Sequence, residues 1–281
     1  MTKAATEAQC TPSELADIAH ALRMRMMRMA AGKGEGYIAQ GLGIADLLTV
    51  LYWRELRFDT TSLNDPKRDR FLLSTGHYSI ALYAALAELG VLSEEETATY
   101  ALNGSNLPMS TFDETPGVEI TSGSLGHGLG QGVGMGLGLR LDESDADVYV
   151  EISDGELQEG STWEAAMAGA SFKLDNLWAL VDCNGIQADG PMVLDIESVA
   201  EKWTAFGWNA AEVAGNDLVS IVDAFDRLRD RPGPKAIILR TTPGYGVPSL
   251  VSRERAHFVR VAEDEWSGLT QELEDNREQR R

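Results

Sequence analysis

Residues 153–190 read SDGELQEGSTWEAAMAGASFKLDNLWALVDCNGIQADG, and two turns within them indicate how this chain builds its sheet. Asp154-Gly155 ends one apolar strand and Asn184-Gly185 ends the next, with a helix between them. A strand, a helix and a second strand in this order favour a parallel pair. Both turns would then lie at the carboxyl ends of neighbouring strands, where such sheets bind their ligands.

The same two turns carry oxygen ligands for a cation. The Asp154 carboxylate, the Asn184 amide and a nearby backbone carbonyl are hard donors, which suit Mg²⁺ or Ca²⁺. Mg²⁺ usually holds a diphosphate through one or two carboxylates together with phosphate oxygens. We therefore predict that this stretch binds a metal ion and a diphosphate, although an Asp-Gly pair alone is also an ordinary turn.

The composition limits the classes of partner. The chain has 281 residues, of which 43% are hydrophobic and 24% charged, so it can bury a substantial core. Its formal net charge of −20 argues against a nucleic acid or an anionic membrane as partner, because both require a basic surface. We interpret this charge as an acidic, solvated surface without a specific partner.

The two cysteines and the first residues bear on the compartment. Cys10 lies in a polar segment and Cys183 within the strand-turn pattern, so we predict neither a structural disulfide nor a zinc site. The start MTKAATEAQCTPSEL lacks the apolar run of a signal peptide, and no run of about 18 apolar residues could span a bilayer. We therefore predict a cytoplasmic location.

Strand and helix patterns alternate along most of the chain. Apolar runs predict strands at 148–152, 177–181, 208–213 and 235–240, and helical spacing predicts helices at 13–31, 44–55, 196–206 and 216–228. This alternation predicts an α/β fold with a doubly wound, mostly parallel sheet flanked by helices. Since no linker is evident, we predict a single domain over 1–281, with an N-terminal helical segment (1–60) and a charged tail (266–281) that is a solvent-facing helix or a frayed end.

Glycine dominates the middle of the chain, where residues 123–141 read GSLGHGLGQGVGMGLGLRL. The apolar period is helical, yet each glycine costs a helix about 1 kcal/mol relative to alanine. We therefore expect this helix to lie very close to another backbone, since only glycine permits such an approach.

Four blocks of sequence resemble the N-terminal, diphosphate-binding part of transketolase, a thiamine diphosphate enzyme. They are IADLLTVLY, DRFLLSTGH, TPGVEITSGSLGHGLG and the SDGELQEGS…DCNGIQADG stretch, and they follow the family's order within residues 13–260. The resemblance implies the diphosphate-type domain of the thiamine diphosphate-binding fold. It also implies transfer of a two-carbon ketol unit from a ketose to an aldehyde, with the carbanion supplied by the cofactor.

The resemblance implies a role for each matching residue. The metal ion would be held by Asp154, Asn184 and the backbone carbonyl of Ile186. The matches that would contact the cofactor are His77, Gly123, Ser124, Leu125, Gly155, Glu156, Asn184, Ile186 and His257. His77, His257 and Glu159 would serve the reaction, with Glu159 and Glu164 facing the partner's active site. Taken alone, a histidine such as His77 is more often a turn or core residue.

Three positions depart from the family pattern on the substrate side. Tyr37 stands where a substrate-side histidine is usual, Ser110 stands where a second histidine binds the donor's hydroxyls, and His127 is an added histidine. We expect these three residues to contact substrate. We also expect the donor to differ from an ordinary sugar phosphate.

In this family the glutamate that contacts the cofactor's aminopyrimidine lies in a following domain, which this sequence does not contain. We therefore predict the N-terminal subunit of a split transketolase, active only with a C-terminal, pyrimidine-binding partner subunit. A heterotetramer with two copies of each subunit is the expected assembly, and small ketose and aldehyde molecules are the expected substrates.

Three other interpretations remain open. A thiamine diphosphate-dependent α-keto-acid decarboxylase or synthase subunit would share the metal site, but LQEGS, IADLL and the His257 spacing favour transketolase. A non-catalytic scaffold would be expected to lack metal ligands, whereas Asp154 and Asn184 are both present. A simple metal or nucleotide binder is the third alternative.

Overall fold

The structure is a computed structural model that describes residues 10–188, 190–253 and 256–280, without the side chains of 278–280. The first nine residues of the predicted N-terminal segment and the last residue of the predicted tail lie outside it. The helices are α1 Pro12–Lys33, α2 Ile38–Gly43, α3 Ala45–Val50, α4 Ser79–Glu88, α5 Glu94–Thr97, α6 Gly128–Leu141, α7 Gly160–Ser171, α8 Val199–Ala205, α9 Leu218–Arg229, α10 Pro248–Val251 and α11 Trp266–Arg280. The strands are β1 Glu35–Gly36, β2 Arg70–Leu73, β3 Val148–Ser153, β4 Leu177–Cys183, β5 Ile186–Gln187, β6 Gly190–Pro191, β7 Asn209–Ala214, β8 Lys235–Arg240 and β9 Val259–Arg260.

The central sheet of the described chain is parallel throughout. Its strand order is β2-β3-β4-β8-β7, and every neighbouring pair runs in the same direction. Ser153 at the end of β3 pairs with Asp182 near the end of β4, so the Asp154 and Asn184 turns follow neighbouring strand ends. The predicted parallel arrangement of these two turns is confirmed.

Helices cover both faces of the sheet, which confirms the doubly wound architecture. One core cluster joins the sheet to α1, α3, α4 and α9, and it includes Tyr149 and Trp178. The other joins the opposite face to α6, α7 and α8, and it includes Val150 and Ala179. Neighbouring strand residues enter opposite cores because successive side chains of a strand point to opposite faces. Within the described residues, no helix is both long and apolar enough to cross a membrane.

The glycines of α6 allow the close approach that the sequence predicts. A Cβ on Gly128 would overlap the Ser74 side chain, and one on Gly132 would overlap the Val150 side chain in β3. Three further glycines alternate with the close-packed positions, namely Gly130, Gly134 and Gly138. A Cβ on any of them would have no atom of the described residues within 4 Å. One face of α6 therefore lies against the sheet, and its other face is open.

The C-terminal segment is a helix, one of the two forms predicted for the charged tail, but this helix does not face solvent on all sides. It forms α11, and its residues Trp266, Leu269 and Leu273 are buried in the same core as α1. These three apolar residues recur at helical spacing, a signal that the many surrounding charges obscure. The segment is a helix that packs against the fold along one face.

Candidate cofactor site

A cavity of about 610 Å³ opens beside the carboxyl ends of β2, β3 and β4. Eight residues that the sequence analysis assigns to cofactor, metal or substrate line it, namely Tyr37, His77, Ser110, Gly123, Leu125, Gly155, Ile186 and His257. They come from parts of the chain that are far apart in sequence. Parallel strands bring their following turns to one edge of the sheet, which is why these residues meet.

The two predicted metal-ligand side chains lie next to this cavity. Asp154 is only 3% exposed, and one of its carboxylate oxygens accepts a hydrogen bond from the Gly185 amide at 2.7 Å. The Asn184 side-chain oxygen accepts from the Ile186 amide at 3.0 Å. Each oxygen keeps further lone pairs, so a carboxylate, an amide oxygen and the Ile186 carbonyl form an oxygen donor set that fits Mg²⁺.

A metal site of this kind needs few acidic side chains. Among the described residues, no group of three or more His, Cys, Asp and Glu side chains is arranged to hold a metal ion. The predicted site contains one such side chain, Asp154, and its other donors are an amide and a backbone carbonyl. Mg²⁺ commonly binds through one or two carboxylates and takes its remaining ligands from phosphates and water.

Burial controls the protonation of Asp154. Loss of solvent, and then the nearby Asp182, raise the pKa of the Asp154 carboxyl to about 7, against hydrogen bonds from Gly185 and Gly155 that lower it. A cation beside this carboxylate would favour its charged form. The site is therefore arranged so that a positive charge relieves an unfavourable buried negative charge.

Asp182 and Tyr78 orient the Asn184 amide, and sequence analysis did not find them. The Asn184 side-chain nitrogen donates to Asp182 at 2.6 Å and to the Tyr78 hydroxyl at 2.8 Å, which leaves the amide oxygen facing the Ile186 turn. The Tyr78 hydroxyl donates to Asp182, and so does the Thr241 hydroxyl. An aspartate inside the apolar run LWALVDC was the available signal, because buried carboxylates need partners.

Four aromatic rings form one wall of the cavity. The Tyr37 ring centroid lies 4.8 Å from that of His77, 5.4 Å from that of His257 and 5.1 Å from that of Phe258. Burial, with a smaller contribution from His257, lowers the pKa of His77 to about 3. His77 is therefore a neutral imidazole at physiological pH, able to donate one hydrogen bond to a bound anion and to accept another.

Glu156 has a structural position instead of lining the cavity. Its buried carboxylate accepts hydrogen bonds from the Ser74 hydroxyl at 2.5 Å, the Gly126 amide at 2.7 Å and the Ser153 amide at 3.3 Å. These bonds join the turns after β2 and β3 to the loop before α6. The predicted contact of Glu156 with the cofactor stays a prediction.

Four further predicted residues do not line the cavity. Ser124 is exposed beside Gly123 and Leu125, and His127 is exposed at the residue that precedes α6. Glu159 and Glu164 are exposed at the start of α7 and within it. His127 therefore does not line the cavity together with Tyr37, and the roles of these four residues stay predictions.

Ser110 lines the cavity, but its hydroxyl has another partner. It donates to the Ser122 carbonyl at 2.5 Å, and a Cβ on Gly123 would lie 2.9 Å from the same hydroxyl oxygen. Ser110 therefore holds the loop that carries Gly123 and Leu125. The departure from the family pattern therefore puts a hydroxyl that is hydrogen-bonded to this loop where the pattern has an imidazole.

Comparison with known proteins agrees with this geometry. Residues 14–279 match the family described as transketolase, thiamine diphosphate binding domain. A transketolase family protein from Sinorhizobium fredii is 51% identical over 258 residues, which make up 90% of this chain and 92% of that protein. An apulose-4-phosphate transketolase subunit from Actinobacillus succinogenes is 36% identical over 93% of this chain and 96% of that protein.

Solved structures give the same result. Transketolase from Leishmania mexicana superposes with a TM-score of 0.85 at 26% identity, over 95% of this chain and 42% of that chain. This chain therefore spans less than half of that transketolase. The fold and the cavity define a thiamine diphosphate-binding α/β domain. The chain belongs to the transketolase family, as its N-terminal, thiamine diphosphate-binding part.

Proposed function

We propose that this chain is the N-terminal subunit of a two-chain transketolase-like enzyme, which moves a two-carbon ketol unit from a ketose donor to an aldehyde acceptor. The observation that carries the proposal is the cavity in which His77, Gly155, Ile186 and His257 come together beside the Asp154 and Asn184 turns. Relatives of nearly the same length that are themselves named as transketolase subunits support a second polypeptide.

We assign Mg²⁺ to Asp154, Asn184 and the Ile186 carbonyl, because the turns that carry them lie side by side, with the Gly185 amide donating to the buried Asp154 carboxylate. When bound, thiamine diphosphate supplies the carbanion chemistry of the reaction. This chain holds the diphosphate end, with the Gly155 amide and the neutral His77 imidazole as hydrogen-bond donors. His257 lies on the substrate side, beside Tyr37.

The partner in this proposal is a C-terminal, pyrimidine-binding subunit, which forms a heterotetramer with this chain in the cytoplasm. The partner supplies the glutamate that activates the cofactor's aminopyrimidine. Among the described residues, no glutamate lines the cavity. Glu156 accepts a hydrogen bond from the Gly126 amide, and Glu159 is exposed.

The donor class is tested on the assembled pair of subunits. Ketose phosphates, 1-deoxyketoses and α-keto acids are offered as donors with a common aldehyde acceptor, and ketol transfer is followed by product analysis. We expect turnover with a ketose donor that is not xylulose 5-phosphate, because Tyr37 and Ser110 replace polar imidazoles. A clear preference for xylulose 5-phosphate contradicts this expectation about the donor, and turnover of α-keto acids alone contradicts the transketolase assignment.

The cofactor is tested separately by calorimetry on the same pair of subunits. Thiamine diphosphate with Mg²⁺ is expected to bind, and ATP with Mg²⁺ is expected not to compete. Tight ATP binding in place of thiamine diphosphate would assign the site to a nucleotide.

A further inference from the structure

Gln40 contacts His257, a histidine in the lining of the cavity. Gln40 lies in α2 and is 1% exposed. Its side-chain nitrogen is 3.0 Å from Nδ1 of His257. The pairing of β1 with β9 brings the two residues together, since it joins the segment before α2 to the segment after His257.

The direction of this hydrogen bond sets the tautomer of the imidazole. The amide nitrogen of a glutamine can only donate, so Nδ1 of His257 accepts. A neutral imidazole that accepts at Nδ1 carries its proton on Nε2. Nε2 is then a hydrogen-bond donor and cannot accept, which suits contact with a substrate oxygen and excludes a role as a base in this state.

We propose that Gln40 is a positioning residue that holds His257 in the tautomer protonated at Nε2. The surroundings of the Gln40 amide support this role over a merely structural one. The side-chain oxygen of Gln40 is buried and has no hydrogen-bond partner among the described residues. A buried oxygen without a partner costs stability, so an apolar side chain would serve a purely structural role better at this position.

The ring neighbours of His257 give the position of its proton a consequence for ligand binding. The titratable side chains in ring contact with His257 include His77, with centroids 5.2 Å apart, and Tyr37. The pKa of His77 is lowered to about 3, first by burial and then by His257. Because the two imidazoles lie side by side, the position of the proton on His257 determines whether its Nε2 can donate to a ligand that His77 also contacts.

The tautomer is measured directly on the full chain by NMR of ¹⁵N-labelled histidine rings, near pH 8, where an ordinary imidazole is neutral. The chain has four histidines, so His257→Asn identifies the signals of His257. We expect His257 to show a protonated Nε2 and an unprotonated Nδ1. A protonated Nδ1 in the unaltered chain overturns the proposal without any variant of Gln40.

Two variants of Gln40 test its role, and a variant of Gln131 serves as the control. Gln40→Leu removes the donor and the unpartnered oxygen, so we expect mixed tautomers with an unchanged or higher Tm. Gln40→Glu offers an acceptor, so we expect Nδ1 of His257 to gain a proton. Gln131→Leu makes the first change on the exposed surface of α6 and is expected to leave the His257 signals unchanged. Unaltered His257 signals in both Gln40 variants contradict the proposal.

The consequence for catalysis rests on the function proposed above. In the assembled enzyme we expect Gln40→Leu to lower kcat about tenfold with little change in thiamine diphosphate affinity, since one hydrogen bond to a reacting oxygen is affected. A defined tautomer in an assembly that transfers no ketol unit would refute the proposed function and leave the tautomer standing. Full activity of the Gln40→Leu enzyme would show that the tautomer is not used.

Discussion

Glu151 is a carboxylic acid in the middle of the sheet, where an apolar residue would be expected. It lies in β3 with no measurable exposure, and one of its oxygens accepts from the Thr75 hydroxyl. The other oxygen has no hydrogen-bond partner among the described residues. Burial, and then the charge of Asp182, raise the pKa of Glu151 well above its usual range. The group is therefore neutral in the folded chain where an exposed glutamate would be ionised.

This raised pKa predicts a pH dependence of stability with a defined sign. The folded state holds the proton more tightly than the unfolded chain, so Glu151 stabilises the fold at low pH. That contribution is lost as pH rises from the unfolded pKa of about 4.3 towards the raised folded pKa. Glu151→Gln keeps an acceptor for Thr75 and does not titrate.

We therefore expect Glu151→Gln to increase the free energy of unfolding relative to the unaltered chain, by an amount that grows from pH 5 to pH 8. The gain at pH 8 should be about 1–3 kcal/mol, the usual cost of a buried polar group without its partners. Denaturant unfolding at the two pH values measures it. Glu201→Gln, at an exposed position, is the control. A difference in unfolding free energy between Glu151→Gln and the unaltered chain that does not change with pH would count against a neutral, buried Glu151.

Asp154 is the acidic side chain of the proposed metal site. Asp154→Asn keeps the size and shape of the side chain but removes the charge. We expect it to weaken Mg²⁺-dependent binding of thiamine diphosphate to the assembled enzyme by at least about 100-fold, since changes even beyond the direct ligands of a metal cost roughly 10–100-fold. The stability of the chain should not fall, because the buried charge is lost.

Calorimetry with thiamine diphosphate at saturating and at low Mg²⁺ checks this prediction, and Asp223→Asn on the exposed side of α9 is the matched control. Unchanged Mg²⁺-dependent affinity in Asp154→Asn would remove Asp154 from the metal site.

At the scale of the element, alanine substitutions at two glycines of α6 are expected to change the free energy of unfolding in opposite directions. Gly132→Ala places a methyl group against Val150, so we expect a loss of about 1–3 kcal/mol from overpacking. Gly134→Ala has nothing described within 4 Å, so we expect a gain of about 1 kcal/mol from helix propensity. Denaturant unfolding of the two variants separates these effects. Equal changes in both would mean that the close approach of α6 to β3 does not explain the glycines.

The sequence predicted those elements whose signal is local. The strands β3, β4 and β8 are mainly apolar runs, and the turns after β3 and β4 carry the residues that end them, so their positions and shared edge were predictable. The burial of α11 was missed because Trp266, Leu269 and Leu273 are widely spaced among charged residues. Periodicity weakens when few apolar residues define the face.

The contacts that complete the site could not be predicted from the sequence. The bonds from Gln40 to His257 and from Tyr78 to Asp182 join residues that are far apart in the chain, and no local pattern links them. Ser110 shows the same limit, because only the packing of its hydroxyl against Ser122 reveals that it supports a loop. Motifs located the cavity, but tertiary structure determined which side chains face it.

At the scale of the whole molecule, the length of the chain bears on the proposed two-chain enzyme. It spans less than half of the solved transketolase from Leishmania mexicana but nearly all of the apulose-4-phosphate transketolase subunits that it resembles. The open face of α6 and the exposed Glu159 and Glu164 lie outside the cavity lining. The match in length to subunits, together with exposed surface outside the cavity, agrees with the proposal that the chain binds the cofactor and completes its active site with a second polypeptide.

The most direct test of the proposed two-chain enzyme is reconstitution of ketol transfer from its separate subunits. The chain, its copurified companion and the mixture of the two are each assayed with thiamine diphosphate, Mg²⁺, a ketose donor and an aldehyde acceptor. We predict turnover in the mixture and none with either polypeptide by itself, with loss of the mixture's activity in Asp154→Asn. Robust ketol transfer by this chain without its companion would contradict the proposal.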